Sequence, residues 1–191
     1  MFWRQKKPWP WEEIGEAMGR KLLPQTDKLS NTIREAFEDA PSSPQDVENF
    51  AGRRWRLELT TFLMFWVWYI ATSPKLREAG ATERLFGTYR RVCRESLIGA
   101  GLVEASADEI RRWESGLAER FDAYKEAYES RVTEKAPVLF TGTVGWVFGR
   151  YLRHGGEGDP RLAILINELG SADFVGLAEM MKNLERTYGR L

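Results

Sequence analysis

Few residues in this chain are of types that could carry out chemistry. It has one cysteine, Cys93, and one histidine, His154, so it lacks the histidine and cysteine clusters that bind transition metals. Cys93 lies within an apolar pattern, which favours an inert core thiol over a nucleophile. His154 follows Arg153 at an expected helix end, where a cation that caps the helix is favoured. Tyr151 stands where a di-iron Glu-x-x-His pair would need a carboxylate. We therefore predict no catalytic residue, no metal ligand and no cofactor.

The acidic residues supply one further pattern. The sequence Glu12-Glu13-x-x-Glu16 resembles the magnesium-binding helix of the all-α nucleotide pyrophosphohydrolases of the MazG kind. That family continues with a Glu-x-x-Asp helix, whereas this chain next offers Glu35-x-x-Glu38, and Glu119-x-x-Asp122 comes much later. The first pattern also falls opposite the apolar stripe of its helix, as solvated residues do. A magnesium-dependent hydrolase is therefore the last of the functions that the sequence offers.

Residues 57–72 organise the rest of the chain. They carry no charge after Glu58, and the middle of the segment is aromatic or branched nearly all round. A helix that is apolar on every face belongs inside a protein or a membrane. The apolar run is about 14 residues long, against roughly 20 for a bilayer span. We therefore expect a buried central helix that begins near residue 44 and ends near residue 72.

Residues 137–153 contain three glycines at helical spacing. Gly142, Gly145 and Gly149 would share one helix face, and each costs a helix about 1 kcal/mol relative to alanine. We expect this face to receive the bulky half of the central helix. The same juxtaposition predicts a pocket for an apolar or aromatic small molecule. The residues predicted to line it are Trp66, Trp68, Tyr69, Gly142, Gly145, Trp146, Phe148 and Gly149.

The remaining segments also show helical spacing of apolar residues. We expect helices over residues 11–23, where Pro24 ends the first, and over residues 27–40 and 82–100. Further helices should follow Ser73-Pro74, a capping box at Ser106, Asp159-Pro160 and Gly170-Ser171. No segment alternates as a strand does. The fold prediction is an all-α, single bundle of about seven or eight helices over residues 11–191, around the buried aromatic-rich central helix.

Residues 1–10 form an aromatic and basic N-terminal arm broken by prolines. Its tryptophans, Trp3 and Trp9, can tuck onto the body of the protein, or they can join Lys6 and Lys7 in contacting a membrane surface. Lys and Arg total 28, and Asp and Glu total 28, so no global charge attracts nucleic acid. The arginines flanking Trp55 and those near Tyr89 are expected to pair with carboxylates of neighbouring helices.

These features favour a non-enzymatic, tryptophan-rich helical module that works by protein–protein contact, including self-association as a homodimer. A single cysteine fits a reducing, cytoplasmic location. The first alternative is a binder of an apolar or aromatic small molecule in the pocket between the central and the glycine-rich helix. The second is peripheral membrane association through the arm, without a spanning helix. The partner, the ligand and the biological process are not encoded in any motif of the chain.

Overall fold

The computed structural model describes residues 9–38, 53–133 and 143–152, and the single residues 163, 179, 182, 183 and 186. Within them every regular element is helical, and six helices are present. They are α1 (Trp11–Glu38), α2 (Arg53–Ala71), α3 (Pro74–Glu78), α4 (Gly87–Gly99), α5 (Ala107–Thr133) and α6 (Val144–Leu152), with a π-helical turn (Thr82–Phe86) leading into α4.

Helix α2 is the centre of the described fold. Its side chains are buried without interruption from Glu58 to Val67, and it contacts each of the other helices and the π-helical turn. Phe62 shows how closely the aromatic side chains meet, because its ring lies 5.7 Å from that of Tyr124 and 5.5 Å from that of Phe148. The all-α class and the buried aromatic-rich central helix are confirmed.

Pro24 does not end the first helix. The chain remains helical from Trp11 to Glu38 with Pro24 inside, although the proline ring removes one backbone hydrogen bond. Leu22 and Leu23 pack against the core on the preceding turn. Thr26 is buried on the following turn, and its hydroxyl donates to the Leu23 carbonyl at 2.6 Å. Packing on both sides of Pro24 thus keeps the helix continuous, and the expected break was wrong.

The predicted number of seven or eight helices is not confirmed. The helices expected after Asp159-Pro160 and after Gly170-Ser171 fall almost wholly outside the described residues, as does the predicted start of the central helix near residue 44. Helix α6 begins at Val144, and the Thr143 hydroxyl accepts the N–H of Trp146 at 3.2 Å as a cap. Ser106 likewise accepts the N–H of Glu109 at 3.2 Å, as the capping-box sequence predicts.

The N-terminal arm is described only from Trp9. Trp9 is 7% exposed, and its ring stacks on that of Trp11 with the centroids 4.8 Å apart. The Trp11 indole N–H in turn donates to the carbonyl of Ala79 at 2.8 Å. This end of the arm therefore lies on the body of the protein, while Trp3, Lys6 and Lys7 lie outside the described residues.

Two glycines on α1 allow it to approach the π-helical turn and α4 closely. A Cβ built at Gly15 would collide with the carbonyl oxygen of Leu85, and one built at Gly19 would lie 2.6 Å from Cγ1 of Val92. Real Cβ atoms do not make such contacts, because packed interiors already have crystal-like density. This glycine pair was not predicted from the sequence, although its four-residue spacing places both glycines on one helix face.

We predict opposite effects for two Gly→Ala substitutions. Gly15→Ala forces the backbone of two packed elements apart and should lower the free energy of unfolding by about 1–3 kcal/mol. Gly87→Ala is the matched control, because it is helical and a Cβ there meets nothing within 4 Å. It should raise the free energy of unfolding by about 0.4–1 kcal/mol. Urea unfolding measures both, and equal effects would contradict the close approach.

Candidate functional site

A cleft of about 540 Å³ opens between α2, the loop after α4 and the first half of α5. We call it the α2–α5 cleft. Helix α2 contributes Leu57, Glu58 and Thr61, and the loop contributes residues 101–104. From α5 come Glu109, Arg112, Trp113, Gly116, Leu117 and Arg120. Its walls therefore combine aliphatic and aromatic surface with five charged side chains.

The loop that forms one wall is held by the end of α4. Gly101 adopts a left-handed conformation with φ of 67°, which glycine reaches without steric cost. The N–H of Leu102 then donates to the carbonyl of Leu97 at 2.9 Å, and the N–H of Gly101 donates to the carbonyl of Ile98 at 2.9 Å. Val103 is buried two residues later. This helix-end motif directs the loop back towards α2 and α5.

A buried ion pair forms the floor of the α2–α5 cleft. Glu58 is the one charged residue in the buried part of α2, and its side chain is 2% exposed. Arg120 of α5 donates to both carboxylate oxygens, from Nη2 to Oε1 at 2.8 Å and from Nε to Oε2 at 3.0 Å. A buried carboxylate requires such a partner, because an isolated charge in the interior is very costly.

Arg120 is fixed by more than the carboxylate. Its Nη1 donates to the Gly116 carbonyl at 3.2 Å, and its guanidinium lies 4.8 Å from the centre of the Tyr151 ring. Burial alone would lower the pKa of Arg120, but the hydrogen bonds and charge of Glu58 raise it above its ordinary value. The floor is therefore a charged group pre-positioned by α2, α5 and α6, with 24% of the Arg120 side chain still exposed.

Two buried polar atoms near the cleft have no hydrogen-bond partner within the described part of the chain. They are the indole nitrogen of Trp113, which lines the cleft, and the hydroxyl of Tyr124. Burial raises the pKa of Tyr124 well above its ordinary value, and the charge of Glu58 raises it further. A buried polar atom without a partner costs about 1–3 kcal/mol.

The residues predicted to line the pocket from α2 pack against aromatic rings of α5. Trp66 and Tyr69 meet on the Tyr128 ring of α5, at centroid distances of 5.3 and 5.2 Å. Trp68 instead packs on Phe121, with the centroids 5.2 Å apart.

The residues predicted from the glycine-rich helix lie on α6. The ring centroid of Phe148 lies 5.3 Å from that of Trp55. Gly145 and Gly149 are buried and Trp146 is half-buried. Gly142 lies outside the described residues. The α2–α5 cleft shares no lining residue with the predicted set, so that pocket remains a separate prediction.

The other chemically suggestive residues have structural partners where they are described. Cys93 is completely buried, and burial raises the pKa of its thiol to about 12. Glu12 accepts two hydrogen bonds from Arg84, at 2.6 and 2.8 Å, and this contact lowers the pKa of its carboxyl group. Glu16 pairs with Arg20 on the same helix. No group of three potential metal ligands occurs among the described residues, and His154 lies outside them.

Two of the arginines near Trp55 and Tyr89 pair with carboxylates of neighbouring helices as predicted, whereas Arg91 contacts Glu95 on its own helix. Arg56 contacts Asp27 of α1 at 2.9 Å, and Arg94 contacts Glu114 of α5 at 3.3 Å. The side chains of Arg53 and Arg54 lie outside the described residues.

No family model, no curated protein and no solved structure matches this chain. Within the described residues, no helix combines the length and apolar character needed to cross a membrane.

We predict that removing the Arg120 guanidinium lowers the free energy of unfolding far more than removing an exposed guanidinium on the same helix. Arg120→Met leaves Glu58 buried without its partner and should lower the free energy of unfolding by about 3–5 kcal/mol. Arg111→Met is the matched control on the same helix, because Arg111 is 71% exposed in its pair with Asp108. Its effect should stay below about 1 kcal/mol.

Denaturant unfolding checks this prediction, and the double variant Glu58→Met with Arg120→Met provides a second comparison. Replacing both partners by apolar side chains should restore much of the loss, since no uncompensated charge remains. Similar losses for Arg120→Met and Arg111→Met would show that the floor ion pair is not a buried interaction in solution.

We also predict a stability loss at alkaline pH that depends on Tyr124. Above about pH 10 the unfolded chain ionises this tyrosine, whereas burial keeps the folded-state hydroxyl protonated because its pKa is raised. The folded state then binds more protons, so the free energy of unfolding falls as the pH rises. Tyr124→Phe should be at least as stable as the parent protein at neutral pH and should show a shallower alkaline loss. If the free energy of unfolding of Tyr124→Phe fell with rising pH as steeply as that of the parent protein, the loss could not be attributed to Tyr124.

Proposed function

We propose that this protein binds a small molecule in the α2–α5 cleft. The observation that carries the proposal is the combination of a cleft of about 540 Å³ with a pre-positioned ion pair at its floor. Ligand pockets usually measure roughly 300–1,000 Å³ and combine apolar walls with a few fixed polar groups. This arrangement fits that description, because Leu57, Leu117 and Trp113 line the walls around Arg120.

The fixed geometry of Arg120 favours a ligand-binding role for the Glu58–Arg120 ion pair over a role in stability alone. Three of its contacts, to Glu58, to the Gly116 carbonyl and to the Tyr151 ring, hold the guanidinium in place. A polar group held in one orientation loses little conformational entropy when a ligand arrives. An ion pair serving stability alone is a weak explanation, since apolar residues of similar volume are often equally stabilising.

The leading hypothesis from the sequence, a protein-interaction module, stays a prediction. The homodimer and the cytoplasmic location also stay predictions. Membrane-surface contact through the arm also stays a prediction. It would have to rely on residues 1–8, because Trp9 is buried against Trp11. Size-exclusion light scattering separates the interaction module from a monomeric binder, because a dimer would favour the module.

We predict that a small neutral probe, 2-phenylethanol, binds in the cleft. In isotope-labelled protein it should shift the indole N–H resonance of Trp113, which Trp113→Phe assigns, and leave that of Trp11 unchanged. The two indoles differ as reporters because Trp11 is engaged with Ala79 outside the cleft. Native mass spectrometry of the purified protein provides the parallel test for a retained small molecule.

Two matched substitutions control for non-specific effects. Leu102→Trp places a large side chain in the cleft wall and should abolish the shift of Trp113. Ile98→Trp replaces another half-buried aliphatic residue, at the end of α4 but outside the cleft lining, and should leave it intact. A protein with no added mass and no Trp113 shift with neutral, cationic or anionic phenyl probes would contradict the proposal.

A further inference from the structure

Among the described residues that line the α2–α5 cleft, acidic groups outnumber basic ones. They supply three carboxylates, those of Glu58, Glu104 and Glu109, and two guanidinium groups, those of Arg112 and Arg120. Glu58 is compensated by Arg120, and Glu109 is contacted by Arg112. The surplus negative charge therefore belongs to Glu104, in the loop at the rim.

Glu104 has neither a hydrogen bond nor an ion pair to any described residue, and it is exposed. It sits one residue after the buried Val103, which anchors the loop. The carboxylate is thus carried on a fixed segment beside the cleft, available to a charge that enters from solvent. A carboxylate at the mouth of a cleft attracts cations and repels anions.

The indole of Trp113 complements this charge. Trp113 is half-buried and lines the cleft, whereas its Nε1 atom is buried. Any indole surface facing the cleft is therefore carbon, and a cation that lies over the face of the ring is attracted by its π-electrons. Leu57, Leu102 and Leu117 supply aliphatic surface for the rest of a ligand.

We propose that the α2–α5 cleft selects a small amphipathic organic cation, an amine with an apolar or aromatic body, and discriminates against anions. The ammonium group lies at the rim, towards Glu104 and the indole of Trp113 and away from the Arg120 guanidinium at the floor, and the apolar body lies against Leu57 and Leu117. The proposal rests on the proposed function, since it assigns a chemical class to the ligand of the same cleft.

The test compares three probes of one shape and different charge. 2-Phenylethylamine is a cation, 2-phenylethanol is neutral, and phenylacetate is an anion at neutral pH. Binding of each is followed at low salt by the Trp113 indole resonance and by calorimetry. A solvent-exposed ion pair contributes up to about 1 kcal/mol, which corresponds to about a fivefold gain in affinity. We therefore expect the amine to bind about fivefold more tightly than the alcohol, and the anion to bind most weakly.

Two variants show whether Glu104 causes the preference. Glu104→Gln should remove the advantage of the amine over the alcohol while leaving the affinity for the alcohol unchanged. Glu126→Gln is the control, since Glu126 is an exposed carboxylate on α5 outside the cleft lining. It should leave the advantage intact. Rising salt concentration should weaken the binding of the amine and leave the binding of the alcohol unaffected.

The outcomes separate the two proposals. Binding of the alcohol or the anion at least as tightly as the amine overturns the cation preference while the proposed function stands. An amine advantage that survives Glu104→Gln overturns the role of the rim carboxylate. Absence of binding by all three probes, together with no added mass in native mass spectrometry, overturns the cation preference and the proposed function together.

Discussion

The described fold depends on how one charge is accommodated inside an apolar helix. Glu58 is buried in α2, and its carboxylate must be compensated where it lies, because leaving it unpaired would cost several kcal/mol. Arg120 satisfies it through two hydrogen bonds, which ties the register of α5 to that of α2. Tyr151 extends the arrangement to α6 by stacking against the same guanidinium. The position of three helices is thus specified by polar geometry as well as by the less directional packing of aromatic rings.

Much of the helical content could be predicted from local patterns. The apolar spacing in α5 is confirmed by the burial of Leu117, Phe121 and Tyr124, and the Ser106 cap follows directly from its sequence context. Pro24 misled the prediction, because a proline weighs against a helix locally while tertiary packing on both sides decides the outcome. The close approach at Gly15 was missed, since it depends on a backbone carbonyl seventy residues away in sequence.

The α2–α5 cleft could be predicted only in part. Glu58 was visible as the last charge before a long apolar run, and Arg120 stands at helical spacing from Leu117 and Tyr124, on the stripe that faces inward. A charge on each of two apolar stripes is a signal for a buried pair. The opening itself arises from how α2, α5 and the loop after α4 fit together. Spacing within one helix carries no information about the space left between three elements.

The placement of α1 has a consequence for how the chain is made. Its contacts are with partners synthesised much later: the Trp11 indole bonds to a carbonyl 68 residues further on, and Glu12 pairs with an arginine 72 residues further on. During synthesis, which begins at the N-terminus, α1 therefore emerges long before the surface on which it packs. Its apolar face must stay unpaired or be shielded until that surface has left the ribosome. Contacts this distant in sequence also slow folding, because a long loop must close before they form.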